Sequence, residues 1–161
     1  MIRMTQDLVP RDSQGPHQAA DPTAQVIVVG LDGSPASWDA FCWAAGQATR
    51  ARGSLIAVYA TPAVTPVAPL PGDFGYGEQA AQEVAAELKA EAKLRAAEAG
   101  VQLTFVRELG DPVHALISVA RSAHADLVVV GRSAKMLHHL AGSAARRLAS
   151  RQDAPVVVVV P

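Results

Sequence analysis

The sequence predicts an α/β fold, a doubly wound parallel β-sheet with helices on both faces. Five short apolar runs of strand length recur between residues 25 and 160. Segments with apolar residues at helical spacing separate these runs, and two of them begin with a capping residue followed by proline. Strands that alternate with helices form parallel sheets, because a crossover must return the chain to the same edge before the next strand begins.

The predicted strands are rich in β-branched residues, and most are apolar throughout. Continuous apolar runs of this length are typical of strands that are covered on both faces. Only the third strand alternates apolar with polar residues. The predicted strands are residues 25–31, 55–60, 101–107, 126–130 and 156–160.

The first predicted helix begins at Ser34-Pro35, because serine is a favourable N-cap and proline suits the first helical position. Its apolar stripe consists of Trp38, Phe41, Cys42 and Ala45. Cys42 belongs to this stripe, so we expect a buried and unreactive thiol.

The second predicted helix spans residues 78–99 and ends at Gly100, a suitable C-cap. Its Glu91–Arg95 pair is expected on the outer face. The third helix repeats the start signal with Asp111-Pro112, and a fourth begins near Gly142-Ser143. The face of the second helix that we expect against the sheet carries Val84, Leu88 and Ala92.

Length and composition suit one domain, residues 24–161, preceded by a tail. The 161-residue chain carries a net charge of −1, so no overall field attracts nucleic acid or an anionic membrane. It has one cysteine, which excludes an internal disulfide, and no apolar run near membrane-spanning length. Residues 1–23 contain three prolines and no secretory signal; we expect a flexible tail, with a partner-binding arm as the alternative.

Several motifs of enzymes and metal sites are absent. The sequence contains no phosphate-binding G-x-x-x-x-G-K-[ST] loop, no dinucleotide-binding G-x-G-x-x-G and no G-x-S-x-G nucleophile elbow. Its five histidines do not have metal-ligand spacing, so we expect no metal site.

Two turns that follow predicted strands can contribute to a ligand site, since ligands of doubly wound sheets bind beyond the carboxyl ends of the strands. Asp32 follows the first strand and either accepts a hydrogen bond from a nucleoside or only orders the turn. Gly131-Arg132 follows the fourth strand, with Gly142-Ser143 at the next helix start. This second turn suits a phosphate or is a solvated basic loop.

Together these segments resemble the universal stress protein family. The resemblance rests on VIVVGLDGSPAS (residues 26–37), GDPVHALISVARSAHADLVVVG (110–131) and AGSAARRLASRQDAPVVVVV (141–160), in that order. It implies a five-stranded sheet in the order 3-2-1-4-5, a homodimer and a cytoplasmic role in the stress response. Some members of the family bind ATP or AMP.

The family's nucleotide pattern is glycine, two residues, glycine, nine residues, then glycine and a small hydroxyl residue. Gly131 matches the first glycine, but Ala134 stands at the second. Ten residues separate Gly131 from Gly142, where the pattern has twelve. The sequence is therefore similar to the branch with a shortened loop and a degenerate motif. A methyl group at Ala134 and a smaller loop disfavour a triphosphate, so an AMP-like ligand is expected rather than ATP.

The resemblance assigns the site residues one by one. Asp32 and Ala60 would line an adenine pocket; apart from the resemblance, the turn after the fourth strand offers Arg132 or Lys135 to add positive charge beside a phosphate. The residues expected around ribose and phosphate are Gly131, Gly142, Ser143 and Ala144.

The expected function is a non-enzymatic, dimeric stress-response module with no catalytic residues. One alternative is a slow ATP hydrolase or phosphotransferase, for which the turns offer only Asp32 and Asp111 as carboxylates for Mg²⁺. Another is a protein-interaction adaptor that binds no nucleotide. The dimer is expected through Val156–Val160, because an all-valine edge strand aggregates unless it is covered.

Overall fold

A computed structural model describes residues 24–61, 76–132, 147–148, 150–151 and 155–161. Its strands are β1 (Val26–Gly30), β2 (Ser54–Thr61), β3 (Gln102–Leu109), β4 (Leu127–Gly131) and β5 (Val156–Val160). The helices are α1 (Pro35–Arg50), α2 (Tyr76–Ala99) and α3 (Pro112–Ser122).

The five strands form one parallel sheet in the order β3-β2-β1-β4-β5, as predicted. Predicted and observed strand ends differ by at most two residues, and β5 agrees at both ends. Of the fourth predicted helix, Arg147 and Leu148 are described, and both are helical. The predicted tail, residues 1–23, lies outside the described residues.

The sheet is covered on both faces by small and medium apolar side chains, as the composition suggested. On one face, α1 and α2 pack over β1, β2 and β4 through Ile27, Val29, Phe41, Leu55, Ala92 and Val129. On the other, α3 and the helical turn at Leu148 pack over β1, β2 and β4 through Val28, Val58, Leu116, Ile117, Val128 and Leu148. Alternate residues of β1 therefore enter opposite cores, and the strand must be apolar throughout.

The two predicted helix starts at Ser34-Pro35 and Asp111-Pro112 are confirmed. The Ser34 side chain accepts a hydrogen bond from the Ser37 backbone N–H at the start of α1. Asp111 does the same for α3, where its Oδ1 lies 3.0 Å from the His114 nitrogen. The Asp111 carboxylate also pairs with Arg147, with Oδ2 3.1 Å from Nη1, and so connects α3 to the chain that precedes β5.

Two expectations about buried faces were wrong. Val84 is 42% exposed, whereas Leu88 and Ala92 are buried as expected, and Ala85 and Ala96 complete the buried face of α2. Cys42 is also exposed, although it follows the fully buried Phe41. It lies to the side of the apolar stripe of α1, facing α2 rather than the sheet.

Cys42 lines an open groove of about 440 Å³ between α1 and α2. The Arg95 guanidinium crosses this groove, with its Cζ 4.6 Å from the centre of the Trp38 ring and its Nη1 3.7 Å from the Cys42 Sγ. The predicted Glu91–Arg95 pair is present, at 2.7 Å, but it lines the groove beside α1 and is not on the outer face of α2 as expected. The proximity of the Arg95 guanidinium to Cys42 could not be predicted from the sequence, because 53 residues separate the two.

Gly131 marks a close approach between β4 and the first turn of α1. A Cβ atom built on Gly131 would lie 2.9 Å from the Ser37 backbone nitrogen and in severe contact with the Ala36 carbonyl. These are backbone atoms and cannot rotate away. Gly30, at the end of the neighbouring β1, differs: its Cβ would lie 3.4 Å from a Leu116 methyl carbon, an ordinary contact.

We expect Gly131→Ala to lower the free energy of unfolding by about 1–3 kcal/mol, because the start of α1 must move to admit the methyl group. The matched control is Gly30→Ala, which removes a strand-end glycine without a clash and should change stability by less than about 1 kcal/mol. Urea denaturation measures both. Equal effects of the two substitutions would contradict the close approach.

The Asp111 pair predicts a pH dependence. Partial burial raises the pKa of the Asp111 carboxyl, but hydrogen bonds from the His114 N–H and Arg147 outweigh burial and leave that pKa lowered. A lowered native pKa contributes stability above the unfolded pKa of about 3.9, and this contribution disappears as the pH falls through the native pKa.

Asp111→Asn keeps the cap acceptor and removes the charge. At pH 7 it should lower the free energy of unfolding by about 0.5 kcal/mol, the usual size for an exposed ion pair. The difference should shrink as the pH falls through the native pKa, because the parent carboxyl then becomes protonated as well. Urea denaturation across a series of pH values is the measurement, and a difference that does not change with pH would rule out the charge as its cause.

Candidate functional site

The candidate site lies at the carboxyl edge of the sheet, the edge formed by the carboxyl ends of its strands. The strand order reverses at β1, where β2 lies on one side and β4 on the other. In doubly wound sheets, crossovers leave the two strands at such a reversal toward opposite faces, and ligands bind in the crevice between the strand ends. Asp32 follows β1, and Gly131 and Arg132 end β4, so the fold places these predicted residues at adjacent strand ends.

The Asp32 turn, residues 31–34, joins β1 to α1 in a tight and well-bonded conformation. Asp32 is exposed, and its Oδ1 accepts a hydrogen bond from the Ser34 backbone N–H at 2.9 Å. Gly33 follows with φ at +81°, a conformation that glycine adopts without strain. Asp32 therefore orders the turn, while Ser34 rather than Asp32 is the N-cap of α1. An exposed carboxylate at this position can still accept a hydrogen bond from a ligand.

Ser37, which sequence reasoning did not select, fastens the Asp32 turn to α1. Its side chain is buried, with the residue 4% exposed. The hydroxyl donates to the Ser34 carbonyl at 2.9 Å and accepts from the Asp32 backbone N–H at 3.3 Å. A second serine three positions after the cap, in Ser34-Pro35-Ala36-Ser37, was the signal available in the sequence.

Ala60 lies at the same edge, near the end of β2. The Leu31 N–H donates to the Val58 carbonyl at 2.9 Å, which extends the β1–β2 ladder as far as the Asp32 turn. Ala60 is two residues further along β2, half-buried, and packs on the face of the sheet that α3 covers. The fold thus brings Asp32 and Ala60 to one end of adjacent strands.

The other half of the candidate site begins at the end of β4. Gly131 has no room for a side chain because of α1, so packing alone already requires glycine there. Arg132 is exposed, and its backbone N–H donates to the Val160 carbonyl of β5 at 2.9 Å. Gly142, Ser143 and Ala144, together with Ala134, lie outside the described residues.

An ion pair at the surface, which the sequence analysis did not predict, lies over the ends of β2 and β3. Arg107 of β3 donates to the two carboxylate oxygens of Glu78 on α2, from Nη1 at 2.9 Å and from Nη2 at 3.1 Å. Its Nε donates to the buried Thr61 hydroxyl at 3.1 Å. The hydrogen bond from Arg107 lowers the pKa of Glu78, and the same bond raises that of Arg107. Because 29 residues separate the partners, only the packing of α2 on β3 brings them together.

The described part of the chain contains no group of three or more histidine, cysteine or acidic side chains that could hold a metal ion. Within the same residues, no helix has the length and apolar character needed to cross a membrane. What the carboxyl edge does present is an exposed carboxylate after β1 and an exposed guanidinium after β4. Such a pair is suited to a small polar ligand with hydrogen-bond donors at one end and an anion at the other.

Comparisons with known proteins agree with this architecture. The family model described as the universal stress protein family matches residues 23–160. No curated protein sequence matches the chain. A solved structure of a universal stress family protein from Burkholderia pseudomallei is 24% identical with a TM-score of 0.70, over 88% of this chain and 98% of that one.

Two other solved structures contain nucleotides. A universal stress protein in complex with cAMP is 28% identical with a TM-score of 0.67, over 86% of this chain and 98% of that one. The universal stress protein from Archaeoglobus fulgidus in complex with dAMP is 17% identical with a TM-score of 0.60, over 86% of this chain and 99% of that one. The last shares the fold alone. Since the family model covers most of the sequence and the sheet order agrees, this chain belongs to the universal stress protein family.

Proposed function

We propose that this protein is a non-enzymatic stress-response module that binds an adenine nucleotide, AMP-like rather than ATP, between the ends of β1 and β4. One observation supports this most directly: the exposed Asp32 carboxylate and the Gly131-Arg132 strand end meet at the switch point of the sheet. This is the place where doubly wound sheets bind nucleotides. The proposed location of the protein is the cytoplasm, as the family resemblance implies.

In the proposed complex, each half of the site contacts one end of the nucleotide. Asp32 accepts a hydrogen bond from the adenine amino group or a ribose hydroxyl, and Ala60 leaves room for the base. Arg132 supplies charge near the phosphate. Gly142, Ser143 and Ala144, assigned by sequence similarity, contribute backbone N–H groups to the phosphate.

The choice of a monophosphate rests on the sequence and on two relatives. Two of the similar structures are complexes with cAMP and with dAMP, and each of these ligands has a single phosphate. In this chain, Ala134 replaces a glycine of the family pattern, and the loop from Gly131 to Gly142 is two residues shorter than in that pattern. A shorter loop encloses less volume and presents fewer backbone groups to a phosphate chain.

The geometry of the two carboxylates supports a role without catalysis. Asp111 is engaged by the His114 N–H and by Arg147, and Asp32 orders its own turn. Phosphoryl transfer to water needs carboxylates that hold Mg²⁺ and orient the nucleophile. The contacts of Asp111 would have to be broken before it could do so, which would leave Asp32 to act without a second carboxylate from these turns.

We also propose a homodimer through β5. This strand lies at one edge of the sheet, with Val156 65% and Val159 45% exposed. A parallel sheet that ends in an uncovered valine strand is prone to nonspecific pairing. Contact with a second copy about a two-fold axis would cover the strand.

Asp32→Ala should weaken AMP binding at least tenfold, because a charge-assisted hydrogen bond contributes about 1.5–3 kcal/mol. The measurement is isothermal titration calorimetry with AMP, cAMP and ATP, and ATP should bind more weakly than AMP. Asp39→Ala is the matched control, since Asp39 is an exposed acid of the same region, on α1.

Asp39→Ala should retain the affinity of the parent. If the parent protein binds none of the three nucleotides, the nucleotide proposal is wrong and the adaptor hypothesis takes its place. If Asp32→Ala binds AMP as tightly as the parent does, Asp32 orders the turn and does not contact the ligand.

For the dimer, Val159→Glu should convert the protein to a monomer in light scattering at about 10 μM, because it places a charge in a desolvated interface. Val84→Glu provides the control, since Val84 is a comparably exposed valine, 42% against 45%, on α2. That variant should stay dimeric. A parent protein of monomeric mass would overturn the dimer proposal.

A further inference from the structure

Ser37 connects the two halves of the candidate site through two independent sets of contacts. Its hydroxyl bonds to the Asp32 backbone N–H at 3.3 Å and to the Ser34 carbonyl at 2.9 Å, so it holds the Asp32 turn. Its backbone nitrogen lies beside Gly131, 2.9 Å from where a Cβ of that glycine would stand. One residue of α1 thus touches both the turn after β1 and the end of β4.

The contacts leave little freedom for the two strand ends to move separately. Ser37 is 4% exposed, which shields its hydroxyl bonds from competing water. The Gly131 backbone abuts the first turn of α1 without an intervening side chain, so a displacement of either must move the other. The Asp32 carboxylate is attached to this unit by its own bond to the Ser34 N–H at 2.9 Å.

We propose that Ser37 is a positioning residue of the nucleotide site. It fixes the position of Asp32 relative to Gly131 at the end of β4 and does not itself contact the ligand. The part that concerns ligand affinity rests on the proposed function. The part that concerns coupling between the two strand ends does not, and it can be measured in the protein without ligand.

The competing explanation is that Ser37 only stabilises the start of α1. Ser34 provides the comparison, because its hydroxyl accepts from the Ser37 N–H at 3.2 Å and caps the same helix. Ser34→Ala removes the cap and leaves both bonds of the Ser37 hydroxyl possible, since these use backbone groups of Asp32 and Ser34. Ser37→Ala removes those two bonds and keeps the cap. If Ser37 only stabilises the helix start, Ser34→Ala and Ser37→Ala should have similar effects on the Asp32 amide.

The first experiment follows the Asp32 amide by NMR in the full-length protein without ligand. Ser37→Ala should shift the Asp32 amide resonance and raise its hydrogen exchange rate about tenfold, because that N–H loses its acceptor. Ser34→Ala should leave both close to the parent, and Ser37→Thr, which keeps the hydroxyl, should restore them. Equal effects of Ser37→Ala and Ser34→Ala would overturn the proposal.

The second experiment tests the connection to β4. Gly131→Ala should shift the Asp32 resonance, and the shift should be smaller when Ser37 is already alanine, as expected for two positions that act through one contact. Additive shifts would overturn the coupling. If Gly131→Ala does not fold, the comparison of Ser37→Ala with Ser34→Ala decides the question.

The third experiment measures AMP binding by calorimetry. Ser37→Ala should weaken AMP binding about tenfold. Ser34→Ala and Ser37→Thr should bind AMP with an affinity within about threefold of that of the parent. Unchanged affinity in Ser37→Ala, in a parent that binds AMP, would overturn the positioning role. If the parent binds no AMP, the proposed function fails and the positioning of a ligand site fails with it, while the NMR experiments still show whether Ser37 couples the strand ends.

Discussion

The arrangement of this domain at its functional edge depends on one backbone contact, between the end of β4 and the first turn of α1. Gly131 approaches the Ala36 carbonyl and the Ser37 nitrogen so closely that any side chain would displace the helix. This contact sets how α1 lies over the sheet. The position of α1 in turn sets the Asp32 turn, because Ser34 and Ser37 bond to that turn from the start of the helix.

Two separate reasons explain the glycine at position 131. In the family pattern it is the first glycine of the nucleotide motif, and here it is also required by packing against α1. A glycine at this position is consequently weak evidence for a bound phosphate. The stronger support for the proposed ligand site is the exposed Asp32 carboxylate at the point where the strand order reverses.

Much of the fold could be predicted from local sequence signals. Continuous apolar runs marked four of the strands and alternation marked β3, and Ser34-Pro35 and Asp111-Pro112 marked two helix starts. Faces were harder to predict. Cys42 and Val84 lie next to buried residues in sequence, yet each is exposed, because the width of a helix stripe depends on what packs against it.

By itself, the sequence determined the fold class, the order of elements, the family and the candidate residues Asp32, Ala60, Gly131 and Arg132. The fold class and the order of elements follow from periodicity and capping, and the family and the site role of Ala60 follow from the resemblance of three segments. Both kinds of signal lie in neighbouring residues along the chain. Only the tertiary structure decided that Arg107 grips Glu78, that Arg95 reaches Cys42, and that Ser37 joins the Asp32 turn to Gly131. Such contacts join distant segments, and their existence depends on how the helices lie on the sheet.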